Sequence, residues 1–344
     1  MKKKQIIVSD IGSINFDKYS RLILITGLNS FKELTIYQKI IDKYTNKKVI
    51  HIKKENNPTE KSFLINTSDK LKLKTKDCIV ALGGGNVIDF SKGLKFFSNK
   101  NKIDLISIPT TCGSGSESTS FFVCYEDELK ISLSSEFLIP NLVVLNHNNL
   151  LGLSKKNLIS SYLDAFSQAI ESFWSINSSI ESKNYSFLAL SHLIKAKENI
   201  IDFDENCLIN AQLGAHYAGK AINISKTTAP HAFSYFFNNY GIPHGMAVNI
   251  ILPFFLKEVY FKSDINLKLK LDEISFKLLK KDFSHFIIYY EDLLKFLGDY
   301  SIDLFKSISN FDYSKFIESV NLERLKNTPV EVDFNGLIKY LKTL

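Results

Sequence analysis

The clearest structural signal is the stretch Ile-Val-Ala-Leu-Gly-Gly-Gly-Asn-Val-Ile-Asp, which occupies residues 79–89. A short apolar run leads into three glycines, and a helical pattern follows at residues 87–97. Glycines let a ligand approach the backbone closely, and the free N–H groups of the next helix suit a phosphate. The stretch therefore predicts a phosphate-binding turn at Gly83, Gly84, Gly85 and Asn86. A strand–turn–helix corner with a purely structural role is the alternative.

Further apolar runs occur at residues 22–26, 49–52, 105–108 and 142–145, and they alternate with helical patterns such as residues 31–44. Runs that are apolar on both faces are typical of parallel strands, which need crossover helices. From about residue 152 the apolar spacing changes to that of helices, as in residues 158–174, 186–200 and 209–222. We predict an α/β dinucleotide-binding domain at residues 1–151 and a helical domain at residues 152–344, with Ser154 capping its first helix.

The chain of 344 residues is 45% hydrophobic and carries a formal net charge of +7. Its lysines are scattered, which argues against a nucleic-acid surface, and the excess charge can attract anionic ligands or simply keep the protein in solution. No segment has the form of a signal peptide or approaches the roughly eighteen apolar residues of a membrane span. Four cysteines without a CxxC pair suggest neither a disulfide framework nor a thiolate metal site. We expect a cytoplasmic protein with no membrane or nucleic-acid partner.

A second loop follows the predicted strand at residues 105–108 and is rich in hydroxyl groups and glycine. Its sequence is Pro-Thr-Thr-Cys-Gly-Ser-Gly-Ser-Glu at residues 109–117. Loops at the carboxyl ends of neighbouring parallel strands meet in one crevice, where open α/β sheets bind ligands. The two loops together predict a dinucleotide site more strongly than either one does alone.

Acidic and histidine residues in the helical region predict a metal site. Asp164 lies in a strongly apolar helical stretch, with Gln168 on the same face at i+4 and Glu171 on that side at i+7. His231 and His244 each follow a proline at a predicted helix start. One carboxylate and two imidazoles suit zinc or iron and leave positions open for a substrate oxygen. For Asp164 alone, a buried salt bridge or a helix cap is the alternative.

These motifs resemble, in order and approximate spacing, those of the iron-containing (group III) alcohol dehydrogenases. The matching segments are Gly83 to Asn86 with Asp89 and Lys92, the loop at residues 109–117, residues 164–171, and His231 with His244 and Gly245. The resemblance covers nearly the whole chain. It implies a Rossmann-like α/β N-terminal domain and an all-α C-terminal domain, the architecture of dehydroquinate synthase, with catalysis in the cleft between them.

The resemblance also implies roles for individual residues. One divalent metal, Fe²⁺ or Zn²⁺, is expected on Asp164, Gln168, His231 and His244. The family usually has histidine where this chain has Gln168, whose amide oxygen binds zinc or iron more weakly. The dinucleotide contacts are assigned to Gly83, Gly84, Gly85, Asn86, Asp89, Thr110, Thr111, Ser114 and, near the nicotinamide, Lys130. We also expect a homodimer.

A narrower resemblance concerns the substrate. Residues 171–175, 218–235 and 321–327 are similar to those of the phosphonoacetaldehyde reductase subgroup, and Lys220, Asn223 and Lys226 can bind a phosphonate dianion. We therefore predict NAD(P)H-dependent reduction of phosphonoacetaldehyde to 2-hydroxyethylphosphonate. The two lysines can instead be ordinary exposed residues. In that case the alternatives are a sugar or polyol dehydrogenase of the same fold, or a ligand-binding homologue without catalytic activity.

The end of the first predicted strand bears on the choice of cofactor. The family often places an acidic residue there, which binds the adenosine ribose and repels a 2′-phosphate. In this chain Gly27 follows the strand, no carboxylate occurs before Glu33, and Asn29, Ser30 and Lys32 offer hydrogen-bond donors. We predict NADP(H) over NAD(H). A tight turn at Gly27 that admits both cofactors is the alternative.

Overall fold

The computed structural model describes residues 5–28, 40, 48–55, 58–127 and 129–344. The chain divides into two compact units, Met1–Leu153 and Ser154–Leu344. Asn29, Ser30 and most of the predicted helix at residues 31–44 lie outside the described residues. Ile40, the one described residue of that segment, is helical and buried.

The first unit contains a six-stranded parallel sheet. Its strands, in chain order, are β1 (Ile6–Val8), β2 (Arg21–Gly27), β3 (Lys48–Lys54), β4 (Asp77–Gly83), β5 (Asp104–Pro109) and β8 (Leu142–Val144), and their order in space is β1-β8-β5-β4-β2-β3. Five of these strands cover the apolar runs predicted from the sequence. The α/β prediction is confirmed.

Both faces of this parallel sheet are buried. Alternate residues of one strand enter different cores: Leu22 and Leu24 pack on one side and Ile23 and Ile25 on the other. The second side is covered by two helices, α1 (Lys61–Leu71) and α2 (Gly85–Phe97). Strands that are apolar on both faces are the pattern expected for a covered parallel sheet.

Three strands were not predicted from the sequence. One is β1, which pairs in parallel with β8 at the edge of the sheet. The other two are β6 (Phe121–Glu126) and β7 (Leu129–Ser134), which form an antiparallel hairpin. A strand of three residues is too short to show a period, and β7 has only exposed and half-buried positions. β1 and β7 therefore lack the apolar pattern that identified the other strands of the sheet.

The second unit is helical, as predicted. Its helices are α3 (Lys155–Trp174), α4 (Ile180–Ala196), α5 (Glu205–Ser225), α6 (Ala229–Ser234), α7 (His244–Lys262), α8 (Ile265–Leu279), α9 (Phe283–Phe296), α10 (Tyr300–Lys306), α11 (Tyr313–Glu318), α12 (Leu322–Lys326) and α13 (Phe334–Thr343). Ser154 caps α3, because its hydroxyl oxygen accepts a hydrogen bond from the backbone N–H of Asn157 at 3.3 Å. Within the described residues, no helix is both long and apolar enough to cross a membrane.

Helix α3 lies at the centre of this unit and packs against α4, α5 and α7. Large side chains of this helix are fully buried, among them Tyr162, Phe166 and Trp174. Asp164, Gln168 and Glu171 are buried in the same helix. Polar groups in such a position are costly unless they have partners. The contacts of these three side chains therefore locate the functional centre of the unit.

Candidate functional site

The glycine turn of the first unit packs tightly against the loop that follows the next strand. The backbone N–H of Thr110 donates to the carbonyl oxygen of Gly83 at 3.1 Å. A Cβ atom added to Gly85 would lie 2.6 Å from the Ser114 Oγ and 2.8 Å from the Ser114 Cβ. No side chain larger than hydrogen fits at residue 85 without a shift of Ser114. The two loops that the sequence analysis selected are therefore in direct contact.

Helix α2 begins immediately after this turn. Its N-cap residue Gly84 has no side chain that could cap the helix, and the next two positions, Gly85 and Asn86, are partly or fully exposed. The first N–H groups of a helix lack partners within it and form the positive end of its dipole. This turn can therefore bind a phosphate through the backbone.

Asp89 and Lys92 of α2 hold the hairpin in place. The Asp89 carboxylate accepts a hydrogen bond from the Val123 N–H at 3.1 Å, and the Lys92 ammonium donates to the Phe121 carbonyl oxygen at 2.9 Å. Burial raises the pKa of Asp89, although the charges of Lys92 and Lys130 oppose this rise. Lys130 is exposed on β7. These contacts give Asp89 a structural role between α2 and the hairpin.

Gly27 is the last residue of β2 and is buried. It pairs in register with Lys54, the last residue of β3, whose side chain is also buried. Burial lowers the pKa of Lys54. Lys54 was not predicted as a site residue, because a single lysine at the end of a strand has no distinctive pattern. The pairing places a basic residue next to Gly27.

Asp164, His231 and His244 come together in the second unit although they belong to three different helices. The Asp164 Oδ1 lies 3.3 Å from the His231 Nε2 and 3.9 Å from the His244 Nε2. Each residue offers one ligand atom, and the three atoms lie within 4.8 Å of one another. The His244 side chain is 38% exposed, whereas those of His231 and Asp164 are 3% and 9% exposed. The cluster can hold a metal ion that is accessible from the His244 side.

Gly245 allows the close approach of α7 to α3 that brings His244 to Asp164. A Cβ atom at residue 245 would lie 1.9 Å from the Ser160 carbonyl oxygen and 3.0 Å from the Asp164 Cβ. Such a contact with backbone cannot be relieved by a rotation of a side chain. The glycine after His244 is therefore required by the packing of the two helices.

Glu171 holds the His231 ring. Its Oε1 is hydrogen-bonded to the His231 Nδ1, and its Oε2 accepts from the N–H and the hydroxyl of Thr228 at 2.7 Å and 2.9 Å. Trp174 donates its indole N–H to the same hydroxyl at 3.0 Å. Because a carboxylate only accepts, Nδ1 carries the proton and Nε2 faces Asp164. The sequence placed Glu171 on this side of α3, but its partner was visible only in the structure.

The titration of the cluster reflects these contacts. Burial opposes protonation of His231, but the charge of Glu171 and the hydrogen bonds to Asp164 and Glu171 outweigh burial and raise the pKa of His231. Burial also opposes ionisation of Asp164, but its hydrogen bond with His231 and the charges of both histidines lower its pKa. A carboxylate that stays ionised at neutral pH is the form that binds a metal.

Gln168 lies beside Asp164, and its hydrogen bond contributes to the low pKa of that carboxyl. The Gln168 Oε1 is buried and has no hydrogen-bond partner among the described residues. A buried acceptor without a donor is destabilising unless something binds it. An amide oxygen in a side chain that contacts the Asp164 carboxylate can serve as a ligand of a divalent cation, so this orphaned atom supports metal binding at the cluster.

The three residues predicted to bind the substrate anion lie in the last two turns of α5 and immediately after it. Lys220 lies over the ring of Tyr185 on α4, with its ammonium 5.6 Å from the ring centroid. Asn223 is half-buried on α5. Lys226 follows the end of α5 and is close enough to Glu323 and Arg324 for their charges to affect its pKa. Lys220 and Lys226 therefore belong to different surroundings.

Arg324 was not selected as a site residue, although it occurs in the segment 321–327 quoted above. Its guanidinium carbon lies 5.0 Å from the centroid of the Tyr235 ring. Tyr235 in turn stacks on His244, with ring centroids 5.6 Å apart and planes inclined by 8°. No spacing in the sequence relates residue 324 to residue 244, so only the folded chain shows this connection.

Comparisons with known proteins agree with these features. A family described as "Iron-containing alcohol dehydrogenase" matches residues 8–147, and "Fe-containing alcohol dehydrogenase family, C-terminal" matches residues 158–291. The chain is 28% identical over 222 residues to a phosphonoacetaldehyde reductase of Streptomyces viridochromogenes, an alignment that covers 57% of this chain and 56% of that protein. It is 30% identical over 213 residues to a 4-hydroxybutyrate dehydrogenase of Clostridium kluyveri, with 56% and 57% covered.

The chain thus spans about half the length of the curated relatives it matches. Among solved structures, an iron-containing alcohol dehydrogenase from Thermococcus thioreducens superimposes with a TM-score of 0.86 at 20% identity, covering 99% of this chain and 98% of the other. A likeness at this identity shows the fold. The family matches cover both units, and the chain belongs to the iron-containing alcohol dehydrogenase family.

Proposed function

We propose that this chain is a metal-dependent NAD(P)H alcohol dehydrogenase that reduces phosphonoacetaldehyde to 2-hydroxyethylphosphonate. The observation that supports an enzyme most directly is the cluster of Asp164, His231 and His244, with its one partly exposed histidine. An inactive homologue would have no need for three convergent ligands and a buried carboxylate that orients one of them. The names of two relatives, a phosphonoacetaldehyde reductase and a 4-hydroxybutyrate dehydrogenase, refer to small substrates with an acidic group, which supports an anionic substrate here.

The proposed metal is one divalent ion, Fe²⁺ or Zn²⁺, held by Asp164, His231 and His244. Gln168 is the proposed fourth ligand through its Oε1, which lacks any other partner among the described residues. Two imidazoles, a carboxylate and an amide oxygen suit either metal. Glu171 keeps the His231 Nε2 available, because it engages the other ring nitrogen. Metal ligands of this kind are typically oriented by such a hydrogen bond.

When bound, the divalent cation supplies a Lewis acid for the aldehyde carbonyl and the reduced nicotinamide supplies a hydride. The residues of the chain orient and enclose these groups. The turn from Gly83 to Asn86, with Thr110, Thr111 and Ser114, is proposed to hold the cofactor pyrophosphate, and Lys130 to lie near the nicotinamide. His244, stacked on Tyr235, is on the accessible side of the cluster, where an aldehyde can enter.

NADPH is the proposed cofactor. Gly27 carries no charge that would repel a 2′-phosphate, and Lys54 adds a basic residue beside it at the end of the neighbouring strand. The test compares kcat/KM for NADPH and NADH in the wild type and in Gly27→Asp. We expect a preference for NADPH that Gly27→Asp reduces by about tenfold or more, the effect of roughly 1.4 kcal/mol. A tenfold preference of the wild type for NADH would contradict the proposal.

The substrate is tested by loading the protein with Fe²⁺ or Zn²⁺ and measuring NADPH oxidation with phosphonoacetaldehyde and, as a neutral control, propanal. We expect kcat/KM to be at least about tenfold higher for the phosphonate, since a charged hydrogen bond contributes about 1.5–3 kcal/mol. Protein stripped of metal with a chelator should be inactive with both. Oxidation of sugars or polyols without any activity on phosphonoacetaldehyde would indicate the alternative dehydrogenase. Inactivity with every aldehyde and alcohol would indicate a binding protein.

A further inference from the structure

Lys226 and Arg324 lie near each other on segments that are far apart in the sequence, and Arg324 is linked to the metal ligand His244 through the ring of Tyr235. We propose that they form the subsite for the substrate's anionic group and that Arg324 is the main residue that selects an anionic over a neutral aldehyde. The inference rests on the proposed function and changes its details: Lys220, which packs on Tyr185, is not part of this subsite.

The position of Arg324 relative to the metal ligands follows from two ring contacts. The guanidinium carbon is 5.0 Å from the Tyr235 centroid, and that centroid is 5.6 Å from the His244 ring centroid. The guanidinium therefore lies within about 11 Å of the His244 ring. A two-carbon aldehyde phosphonate spans roughly 4–5 Å between its terminal oxygens, by ordinary bond lengths. Together with a metal–oxygen bond and a hydrogen bond at its two ends, a small acid has a length comparable with this upper limit.

The backbone of Lys226 is strained, which indicates that its placement serves a purpose. Its φ and ψ are 62° and 179°, a combination that is essentially limited to glycine. Strain of this kind persists only where the surroundings enforce it, and it is concentrated at functional sites. Glycine would adopt these backbone angles without strain, so we expect the lysine side chain to have a function that offsets the cost in stability.

Asn327 enforces this conformation and joins Lys226 to the segment that carries Arg324. The Asn327 Nδ2 donates to the carbonyl oxygens of Ser225 at 2.8 Å and Thr227 at 2.9 Å, the residues on either side of Lys226. The next residue, Thr328, accepts from the Ala229 N–H at 2.9 Å. Lys226 and the short helix α12 are therefore fixed to each other and to the start of α6, which carries His231.

The charges of this region favour an anion. Burial lowers the pKa of Lys226; Glu323 opposes this effect and the positive charge of Arg324 adds to it. No carboxylate of the described residues forms a salt bridge with the Arg324 guanidinium. The buried Thr227 hydroxyl, on the same loop, has no hydrogen-bond partner among the described residues. Two neighbouring cations and a hydroxyl match a phosphonate dianion, and a guanidinium binds such a group with two hydrogen bonds.

The first test uses Arg324→Gln, with Lys326→Gln as the matched control, because Lys326 is an exposed cation of the same short helix. We expect Arg324→Gln to raise KM for phosphonoacetaldehyde about ten- to hundredfold, with little change in KM for propanal. Lys326→Gln should change neither value appreciably. Equal effects of Arg324→Gln on both aldehydes, or equal effects of the two substitutions, would overturn the inference.

The second test uses the strain at Lys226. Lys226→Gly removes the side chain and relieves the backbone, so we expect a higher melting temperature together with a higher KM for phosphonoacetaldehyde. A purely structural lysine would give a change in stability without a selective change in KM. An unchanged KM for phosphonoacetaldehyde in this variant would therefore remove Lys226 from the subsite.

A binding measurement separates this inference from the proposed substrate. Methylphosphonate is titrated into the metal-loaded wild type, Arg324→Gln and Lys326→Gln by calorimetry. Binding that is weakened about tenfold or more in Arg324→Gln alone supports the subsite, even if phosphonoacetaldehyde proves not to be the substrate. If phosphonoacetaldehyde is the preferred substrate but Arg324→Gln binds methylphosphonate normally, the proposed function stands and the subsite is wrong. If the wild type does not bind methylphosphonate, the subsite is also wrong.

Discussion

The glycine turn of the first unit and the metal cluster of the second unit are built on different principles. The turn consists of consecutive residues, and its chemistry resides in backbone N–H groups at the start of α2. The cluster takes one side chain from each of α3, α6 and α7, and its chemistry resides in a carboxylate and two imidazoles. The glycine turn depends on the absence of side chains, whereas the metal cluster depends on which side chains are present.

The two regions differ also in how they are supported. In the turn, Gly83 and Gly85 both require free space, because an added Cβ would lie 2.5 Å from the Val87 Cγ2 at residue 83 and 2.6 Å from the Ser114 Oγ at residue 85. The His231 ring is oriented by a hydrogen bond to Glu171. Glu171 is hydrogen-bonded to Thr228, and Thr228 is hydrogen-bonded to Trp174. A change in the turn should therefore act through steric fit alone. A change in the cluster should also act through the hydrogen bonds that connect His231 to Glu171, Thr228 and Trp174.

The largest effect is expected for His244→Ala. Removal of one imidazole from a site of three or four ligands abolishes most of the metal affinity, because no other described histidine is near enough to replace it. We expect the metal content, measured by atomic emission after gel filtration, to fall to background and turnover to fall by at least about a hundredfold. His285→Ala, an exposed histidine on α9, is the control and should retain both. Full turnover of His244→Ala without metal would end the account of a metal enzyme.

Glu171→Gln should have the next largest effect. The amide preserves the shape of the side chain but removes the charge that orients His231, and loss of such a partner typically lowers metal affinity about 10–100-fold. The dissociation constant for Zn²⁺ is measured by competition with a chromophoric chelator. Glu181→Gln, an exposed change at the start of α4, is the control. An unchanged affinity in Glu171→Gln would show that the hydrogen bond to His231 has no role in metal binding.

Gly85→Ala should impair the cofactor site and spare the metal site. The added Cβ forces Ser114 to move, and a cost of about 1–3 kcal/mol in the bound state corresponds to an increase of about 5- to 150-fold in the dissociation constant for NADPH. Metal content should be unchanged. Addition of Ser114→Gly removes both atoms that the new Cβ meets at less than 3.0 Å and should restore part of the affinity. Concurrent loss of metal in Gly85→Ala would contradict the independence of the two regions.

The smallest effect is expected for Gln168→His. Imidazole is a better ligand than an amide oxygen for zinc or iron, so metal affinity should rise by about tenfold. The same chelator competition measures it. A weaker affinity would mean that residue 168 supports Asp164 by its hydrogen bond and does not contact the metal.

The sequence predicted the first of the two regions better than the second. Residues 79–89 contain strand, turn and helix in one continuous stretch, so local composition was sufficient. For the metal cluster the ligand types were evident, and their convergence depended on the packing of α7 on α3 at Gly245. The resemblance to a known family supplied that step, because spacing alone cannot bring residues 164, 231 and 244 together.

Other features could not be predicted from the sequence, because they depend on contacts between distant parts of the chain. The pairing of Gly27 with Lys54 depends on the order of strands, which no local pattern encodes. The proximity of Arg324 to His244 depends on the ring of Tyr235 and on a short helix that closes back on α6. The strain at Lys226 is a property of backbone angles that Asn327 enforces from about 100 residues away in the chain.

The central claim is that one divalent metal is bound by Asp164, His231 and His244. Anomalous diffraction from crystals of the metal-loaded protein, recorded on both sides of the iron or zinc absorption edge, tests it most directly. The account predicts one anomalous peak per chain, at about 2.1 Å from the Nε2 atoms of both histidines and next to the Asp164 carboxylate. An active preparation whose only anomalous peak lies elsewhere, or that shows none, would contradict it.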